Sequence, residues 1–169
     1  MTNYLDLLKM SNLPYKLLIF DWEGTLANPQ TLGATQLFDD TLSVLTDLHQ
    51  QGYLLAIATA KSKAGLAQDL IKTGLDKIID ATCTAQESEP KPNPAMLFMI
   101  LDELAITPQD ALMIGDTIFD LAMGQDANMD TLAVTSGVQT CEELLEYQPI
   151  DCIEIITELP NWLLNLRKK

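Results

Sequence analysis

The feature that most constrains the fold is an alternation of short apolar runs with helix-like stretches. The runs Leu17–Phe20 and Ala111–Ile114 are apolar at every position, so strands built from them must be buried on both faces. Between these runs, apolar residues at 97, 100, 101 and 104 follow the spacing of an amphipathic helix. This alternation predicts a doubly wound, Rossmann-like α/β fold, with a parallel sheet of about five or six strands and helices on both faces.

The rest of the chain supplies further strand and helix signals. Leu42, Leu45 and Leu48 share one face of a helix predicted near 40–51, and Ile78–Ile79 is the weakest strand signal. The remaining predicted strands are Tyr53–Ala58, Thr131–Val134 and Cys152–Ile156, and the remaining predicted helices lie near 63–73 and 118–127.

Length and composition indicate the class of protein. A chain of 169 residues, 47% of them hydrophobic and 20% charged, suits one globular domain. We therefore treat 1–169 as a single α/β domain, with residues 1–14 as an extension that precedes the first strand. The first residues lack a basic stretch and no apolar run approaches the length of a membrane span, so we expect neither a secretory signal nor a membrane anchor.

Charge and cysteine content restrict the partners and the compartment. A net charge of −14 repels nucleic acid and anionic membrane surfaces, so we expect neither as a partner. The three cysteines, Cys83, Cys141 and Cys152, form no CxxC pair and leave an odd number, which fits a reducing compartment. Together these features predict a cytoplasmic location.

Polar residues follow three of the predicted strands, at the edge where a doubly wound sheet binds its ligands. Asp21 follows the first strand, Thr59 the second, and Asp116 the strand that begins at Ala111, while Lys91 lies in the proline-bracketed loop EPKPNP. Two carboxylates from separate strands repel each other unless a cation intervenes, and their oxygens suit Mg²⁺. Mg²⁺ and Lys91 would neutralise a phosphoryl group while Thr59 donates a hydrogen bond, so the set predicts a phosphate site.

The same residues stand in four ordered motifs, which are DWEGTL from Asp21, IAT ending at Thr59, KPNP from Lys91, and GDTIFD at 115–120. From about residue 16 to about residue 138 the chain resembles the haloacid dehalogenase superfamily of phosphotransferases, and within it the phosphoglycolate-phosphatase-like branch. A lone GD or KP would be weak evidence. Four motifs in the right order, each at its expected strand end, are strong evidence for the resemblance.

The resemblance implies a Mg²⁺-dependent phosphatase that works through an aspartyl-phosphate. Asp21 would attack phosphorus, and Glu23 would protonate the leaving group and then activate the hydrolytic water. Asp21, Asp116 and the backbone carbonyl of Glu23 would hold the metal, while Asp120 would orient the metal's waters or Lys91.

Trp22 either packs at the strand end or flanks the substrate entrance. We include it among the residues expected to contact the substrate. The predicted catalytic residues are Asp21, Glu23, Thr59 and Lys91, and the predicted substrate contacts are Trp22, Thr59, Ala60 and Lys91.

Glu23 departs from the family's usual aspartate at this position. Its carboxyl is displaced by one methylene, and a misplacement of about 1 Å can cost on the order of 100-fold in rate. Glutamate nevertheless has nearly the same acidity as aspartate, so we expect slower turnover with the acid/base role retained. The alternative is a degenerate domain that binds metal or a phosphorylated ligand and serves in regulation or assembly.

The spacing of the motifs leaves no room for a cap domain. Members of this branch usually insert a helical cap between the first two motifs, but only 37 residues lie between Asp21 and Thr59, and a predicted helix uses part of them. The 31 residues between Thr59 and Lys91 already hold a helix and a strand. We therefore predict an open crevice with a short flap over 27–38. A small phosphorylated metabolite or a phosphoprotein would enter it, and a second copy of the chain in a homo-oligomer is one way to cover it.

Overall fold

The computed structural model describes residues 13–30 and 35–166. Nearly all of the N-terminal extension 1–14, and positions 31–34 of the predicted flap, lie outside the described residues. Within them the strands are β1 (Leu17–Phe20), β2 (Leu54–Thr59), β3 (Ala81–Thr84), β4 (Ala111–Gly115), β5 (Asp130–Val134) and β6 (Asp151–Ile153). The helices are α1 (Thr41–Gln50), α2 (Lys63–Thr73), α3 (Ala95–Leu104), α4 (Ile118–Asp126), α5 (Cys141–Leu145) and α6 (Leu159–Leu166).

The described strands form one six-stranded sheet in the order β3-β2-β1-β4-β5-β6. Every neighbouring pair in it is parallel. The chain winds outward from the central β1 through β2 and β3, and then returns to the other side of β1 to build β4, β5 and β6. The order reverses between β1 and β4, and a doubly wound sheet opens its binding crevice at such a switch point. The predicted Rossmann-like α/β fold is confirmed.

Both faces of the sheet are covered, as strands without polar positions require. Leu18 and Phe20 of β1 belong to a buried cluster that includes Leu45 of α1. Leu17 and Ile19 point to the opposite face, into a second cluster formed largely with α3. No helix of the described residues is both long enough and apolar enough to cross a membrane.

The predicted strand at Ile78–Ile79 is wrong. These two residues follow a 3₁₀ turn at Leu75–Lys77, and both pack against the core from there. The strand itself is β3, whose sequence ATCT contains two threonines and therefore carries little apolar signal. The apolar pair thus packs against the core just before the strand and does not belong to the strand.

Two other details of the prediction also need correction. Leu45 and Leu48 of α1 are buried, but Leu42 is 40% exposed, so it does not share their buried face. The strand predicted at Cys152–Ile156 ends at Ile153, because the chain there turns into a 3₁₀ turn at Ile156–Glu158. Ile156 is nevertheless fully buried, which explains its contribution to the apolar pattern.

Candidate active site

The polar residues predicted from the strand ends do meet at one edge of the sheet, where a crevice opens. Asp21 follows β1 directly, Thr59 ends β2 and Asp116 follows β4, so three neighbouring strands each deliver a polar side chain to the same edge of the sheet. The crevice has a volume of about 390 Å³. Of the predicted residues, those that line it are Asp21, Glu23, Thr59, Ala60, Lys91 and Asp120. Asp116 is not among them, but one of its carboxylate oxygens lies within 4.8 Å of oxygens of Asp21 and Asp120.

Lys91 is the cation at the centre of this arrangement. Its ammonium donates hydrogen bonds to Asp21 Oδ1 at 2.6 Å and to Asp120 Oδ1 at 2.7 Å. Burial alone would lower the pKa of Lys91, but the charges of Asp21 and Asp120 outweigh burial and raise the pKa above its ordinary value. Lys91 is therefore a permanent cation held in contact with Asp21.

Three buried carboxylates gather around this lysine. Asp21, Asp116 and Asp120 each offer an oxygen, and these oxygens lie within 4.8 Å of one another. Burial raises the pKa of all three carboxyls, and repulsion from another member of the set raises each further. One lysine cannot balance three carboxylates, so a divalent cation fits the charge and the oxygen-only chemistry of this cluster.

The Asp116 carboxylate accepts a hydrogen bond on each oxygen, one from a side-chain hydroxyl and one from a backbone N–H. Its Oδ1 accepts a hydrogen bond from Thr25 Oγ1 at 3.2 Å, and its Oδ2 accepts one from the Val138 N–H at 3.2 Å. Gly24 and Gly137 approach the carboxylate so closely that a Cβ on either one would overlap its oxygens. The two glycines thus form a cradle that only residues without a side chain permit.

Replacing Gly137 with Ala is therefore expected to displace the Asp116 carboxylate. We expect the concentration of Mg²⁺ that half-saturates the protein to rise by about tenfold or more, because a ligand position moves. Isothermal calorimetry of Mg²⁺ binding checks this, with a thermal melt to establish that the variant is folded. Unchanged Mg²⁺ affinity in a folded variant would contradict the role given to Asp116.

Both carboxylate oxygens of Asp120 accept hydrogen bonds, which is more than its predicted supporting role required. While Oδ1 contacts Lys91, Oδ2 accepts hydrogen bonds from the Thr117 N–H at 3.1 Å and from Thr117 Oγ1 at 2.8 Å. The hydrogen bond from the Thr117 N–H is half of a capping box that starts α4. Asp120 therefore connects Lys91 to the first turn of α4 through hydrogen bonds on both of its oxygens.

Thr59 and Ala60 form the wall of the crevice contributed by β2. The Thr59 side chain is buried, and its Oγ1 accepts a hydrogen bond from the Lys61 N–H at 3.1 Å. That contact uses an oxygen lone pair and not the hydroxyl proton, so the hydroxyl can donate to a phosphoryl oxygen.

Glu23 stands apart from the carboxylate cluster. Its side chain is 62% exposed, and its Oε1 lies 3.4 Å from Lys61 Nζ. Lys61 also lies 3.0 Å from Oδ2 of Asp69, a buried residue of α2. Glu23 thus lines the crevice as expected, but its carboxylate is not one of the three clustered oxygens.

Trp22 packs in the core, which was the first of the two alternatives for it, and it is not among the residues that line the crevice, contrary to its inclusion with the predicted substrate contacts. The side chain is fully buried and belongs to the main core cluster with Phe20 and Leu26. Leu18, Phe20 and Trp22 all belong to this cluster, so Trp22 continues the side of β1 that faces the core, while Asp21 and Glu23 line the crevice.

Four residues that line the crevice were not among the predicted site residues: Lys61, Pro90, Thr117 and Phe119. Lys61 follows the IAT motif by two positions, and Phe119, which is 53% exposed, lies inside GDTIFD. A residue adjacent to a motif lies close to the same strand end, so proximity to the motif could have identified both. Nothing local in the sequence, however, distinguishes Lys61 from the neighbouring Lys63.

Comparison with known proteins identifies the family. A sequence model of haloacid dehalogenase-like hydrolases matches residues 30–134, well over half of the chain. The chain belongs to the haloacid dehalogenase-like hydrolase family. The matched region includes Thr59, Lys91 and the GDTIFD motif, and it begins after Asp21 and Glu23.

Individual relatives agree with this assignment. The chain is 28% identical over 123 residues to the pyrophosphatase PpaX of Bacillus velezensis, covering 72% of this chain and 57% of that protein. It is 29% identical over 124 residues to the phosphoglycolate phosphatase of Colwellia psychrerythraea, covering 73% of this chain and 55% of that protein. The chain thus spans little more than half the length of these haloacid dehalogenase-like relatives.

The fold agrees with solved structures as well. A predicted phosphoglycolate phosphatase from Haemophilus somnus superposes with a TM-score of 0.80, at 17% identity, over 88% of this chain and 98% of that chain. At this level of identity the likeness supports the haloacid dehalogenase-like fold.

Proposed function

We propose that this chain is a Mg²⁺-dependent phosphatase that hydrolyses a phosphate monoester through an aspartyl-phosphate on Asp21. The observation that carries the proposal is the pairing of Asp21 with Lys91 at 2.6 Å, with oxygens of two further buried carboxylates, Asp116 and Asp120, clustered within 4.8 Å of one another and of Asp21. A nucleophilic carboxylate beside a fixed cation is the arrangement that phosphoryl transfer requires. The names of the relatives PpaX and phosphoglycolate phosphatase support this class of reaction.

The carboxylates of Asp21 and Asp116 would hold Mg²⁺, together with the backbone carbonyl of Glu23 as the family resemblance implies, and the ion would neutralise the charge of the phosphoryl group. Asp120 adds negative charge to the same place and holds Lys91. The raised pKa values of the three carboxyls support this fit, because a bound cation removes the repulsion that contributes to them.

The chemistry of the first half-reaction follows from the residues of the crevice. An Asp21 oxygen attacks phosphorus, the bond from phosphorus to the leaving oxygen breaks, and that oxygen takes a proton from Glu23. Lys91 keeps Asp21 in place and offers its remaining proton to the phosphoryl group, while Thr59 donates a hydrogen bond to it.

The second half-reaction regenerates the protein. The Glu23 carboxylate takes a proton from water, and the water oxygen attacks phosphorus. The bond between Asp21 and phosphorus then breaks, which releases inorganic phosphate and leaves Asp21 as a carboxylate and Glu23 protonated.

A small phosphorylated metabolite is the substrate class we propose. The crevice volume of about 390 Å³ lies in the range of small-molecule sites. The strongly acidic chain disfavours polyanions, as its net charge of −14 indicates.

Metal removal tests the proposal directly. Purified protein should release inorganic phosphate from an aryl phosphate or from members of a phosphometabolite panel in Mg²⁺. We expect EDTA to lower the rate by at least about 100-fold, and added Mg²⁺ to restore it. Mg²⁺ binding without any phosphate release, from metabolites or from phosphopeptides, would instead favour the degenerate binding domain.

A further inference from the structure

We propose that Lys61 is a positioning residue: its ammonium contacts Oε1 of Glu23 and so holds the carboxyl group at the crevice, while Oε2 carries the proton that Glu23 transfers to the leaving group. The inference rests on the proposed phosphatase function and on the acid/base role of Glu23. It adds a residue to that function, since Lys61 acts through Glu23 and not on the phosphoryl group.

The two ion pairs of Lys61 connect the protein interior to the crevice. Its ammonium lies 3.0 Å from Asp69 Oδ2 and 3.4 Å from Glu23 Oε1. The exposed fraction of the side chain rises from 8% for Asp69 to 22% for Lys61 and 62% for Glu23. Lys61 thus connects a buried carboxylate to an exposed one.

Lys61 differs from an ordinary surface partner of Glu23 because it also pairs with the buried Asp69. An exposed ion pair contributes little, because two flexible side chains must be ordered to form it. A buried carboxylate strongly favours a paired cation, so Asp69 orders Lys61 before Glu23 is involved. Only the Glu23 side chain then remains to be ordered by the second contact.

Glu23 needs such a partner more than aspartate would. Its side chain has one more rotatable bond than aspartate, and a catalytic carboxyl must be held within a fraction of an ångström of its working position. The ammonium of Lys61 supplies a fixed point on the wall of the crevice formed by the end of β2. The extra methylene of Glu23 is what lets its carboxylate extend to that point.

The test uses the leaving group as its readout. Substitution of Lys61 by Met should lower kcat for an alkyl phosphate, whose leaving oxygen needs a proton, by about tenfold to 100-fold. With 4-nitrophenyl phosphate, whose leaving group needs little protonation, we expect a change of less than about threefold. The matched control is Lys63→Met, because Lys63 is 69% exposed and pairs with Glu87 instead. This control should affect both substrates equally.

A double-mutant cycle isolates the contact with Glu23. Glu23→Asp withdraws the carboxylate from Lys61 by one methylene, so Lys61→Met should cost less than about threefold in the Glu23→Asp background. Lys61→Arg, which keeps the charge and the reach, should recover most of the activity on alkyl phosphate. Equal losses from Lys61→Met in both backgrounds would overturn the inference.

The outcomes separate this inference from the proposed function. If Lys61→Met folds poorly because Asp69 is left unpaired, the double variant Lys61→Met/Asp69→Asn removes both charges and is assayed in its place. Phosphatase activity that depends on Asp21 but shows no leaving-group effect in these variants would refute the role of Lys61 alone. Absence of any Asp21-dependent activity in the parent protein would refute the proposed function, and the inference with it.

Discussion

Substitution of Asp21 by Asn is expected to lower the rate of phosphate release by at least about 10⁴-fold. The amide has nearly the same shape as the carboxylate but lacks the nucleophilic oxygen, so no aspartyl-phosphate can form. Phosphate release measured with the parent protein and the variant in the same buffer checks this. Residual activity within about tenfold of the parent would reveal a contaminating phosphatase or a different nucleophile.

The same variant should be more stable than the parent when Mg²⁺ is removed. Burial and repulsion from Asp116 raise the pKa of Asp21, which means that the fold disfavours its ionised form. A carboxyl whose pKa is raised by folding costs stability progressively as the pH rises from its unfolded-state pKa to the raised value, and the full cost is present above the raised value. The gain in melting temperature from Asp21→Asn in EDTA should therefore be larger at about pH 8 than at about pH 4, near the ordinary pKa of aspartate. A loss of stability at both pH values would contradict the repulsion.

Substitution of Lys91 by Met is expected to have the second-largest effect. The ammonium is the partner of two buried carboxylates, Asp21 and Asp120, at 2.6 and 2.7 Å. Its removal leaves them without their cation, and breaking a buried ion pair in this way typically costs about 3–5 kcal/mol. Urea denaturation in EDTA measures that loss, and we expect the rate of phosphate release in Mg²⁺ to fall by at least about 100-fold.

A double variant separates the two consequences of losing Lys91. Adding Asp120→Asn to Lys91→Met removes one of the stranded carboxylates, so it should restore part of the stability. It should not restore activity, because Asp21 still lacks the cation beside it. If the Lys91→Met protein unfolded at the same urea concentration as the parent, the lysine would have no structural importance.

The strand-end positions could be predicted because they depend on a periodic, local signal. An apolar run marks a strand, and the first polar residues after it mark the carboxyl end, which is how Asp21, Thr59 and Asp116 were placed. Lys91 followed from its motif and its loop. The fold class came from the same signal, since strands without polar positions need cover on both faces.

The errors fall where tertiary contacts override local pattern. Ile78–Ile79 is apolar because it packs against the core beside β3, whose two threonines hide the strand itself. Trp22 lies between Asp21 and Glu23 in sequence, but the extended chain turns its indole into the core. A motif fixes backbone positions and leaves the direction of each side chain to the packing around it.

Lys61 illustrates what a sequence pattern does not contain. Its importance depends on Asp69, a charged residue on a helix that only the packed structure places in the interior. A helical pattern would put that carboxylate in water as readily as beside a lysine. The 62% exposure of the Glu23 side chain and its contact with Lys61 are likewise features of the packed structure, which the sequence pattern does not contain.

The sheet order also has a consequence for how the protein acquires its activity. Lys91 and Asp21 are 70 residues apart in the chain, and Thr25 and Asp116 are 91 apart, yet both pairs are hydrogen-bonded. Contacts between such distant segments form late and slowly, because the chain entropy of closing long loops must be overcome first. Recovery of phosphatase activity during refolding should therefore lag behind recovery of helix content, and a nascent chain released before β4 is made would lack Asp116.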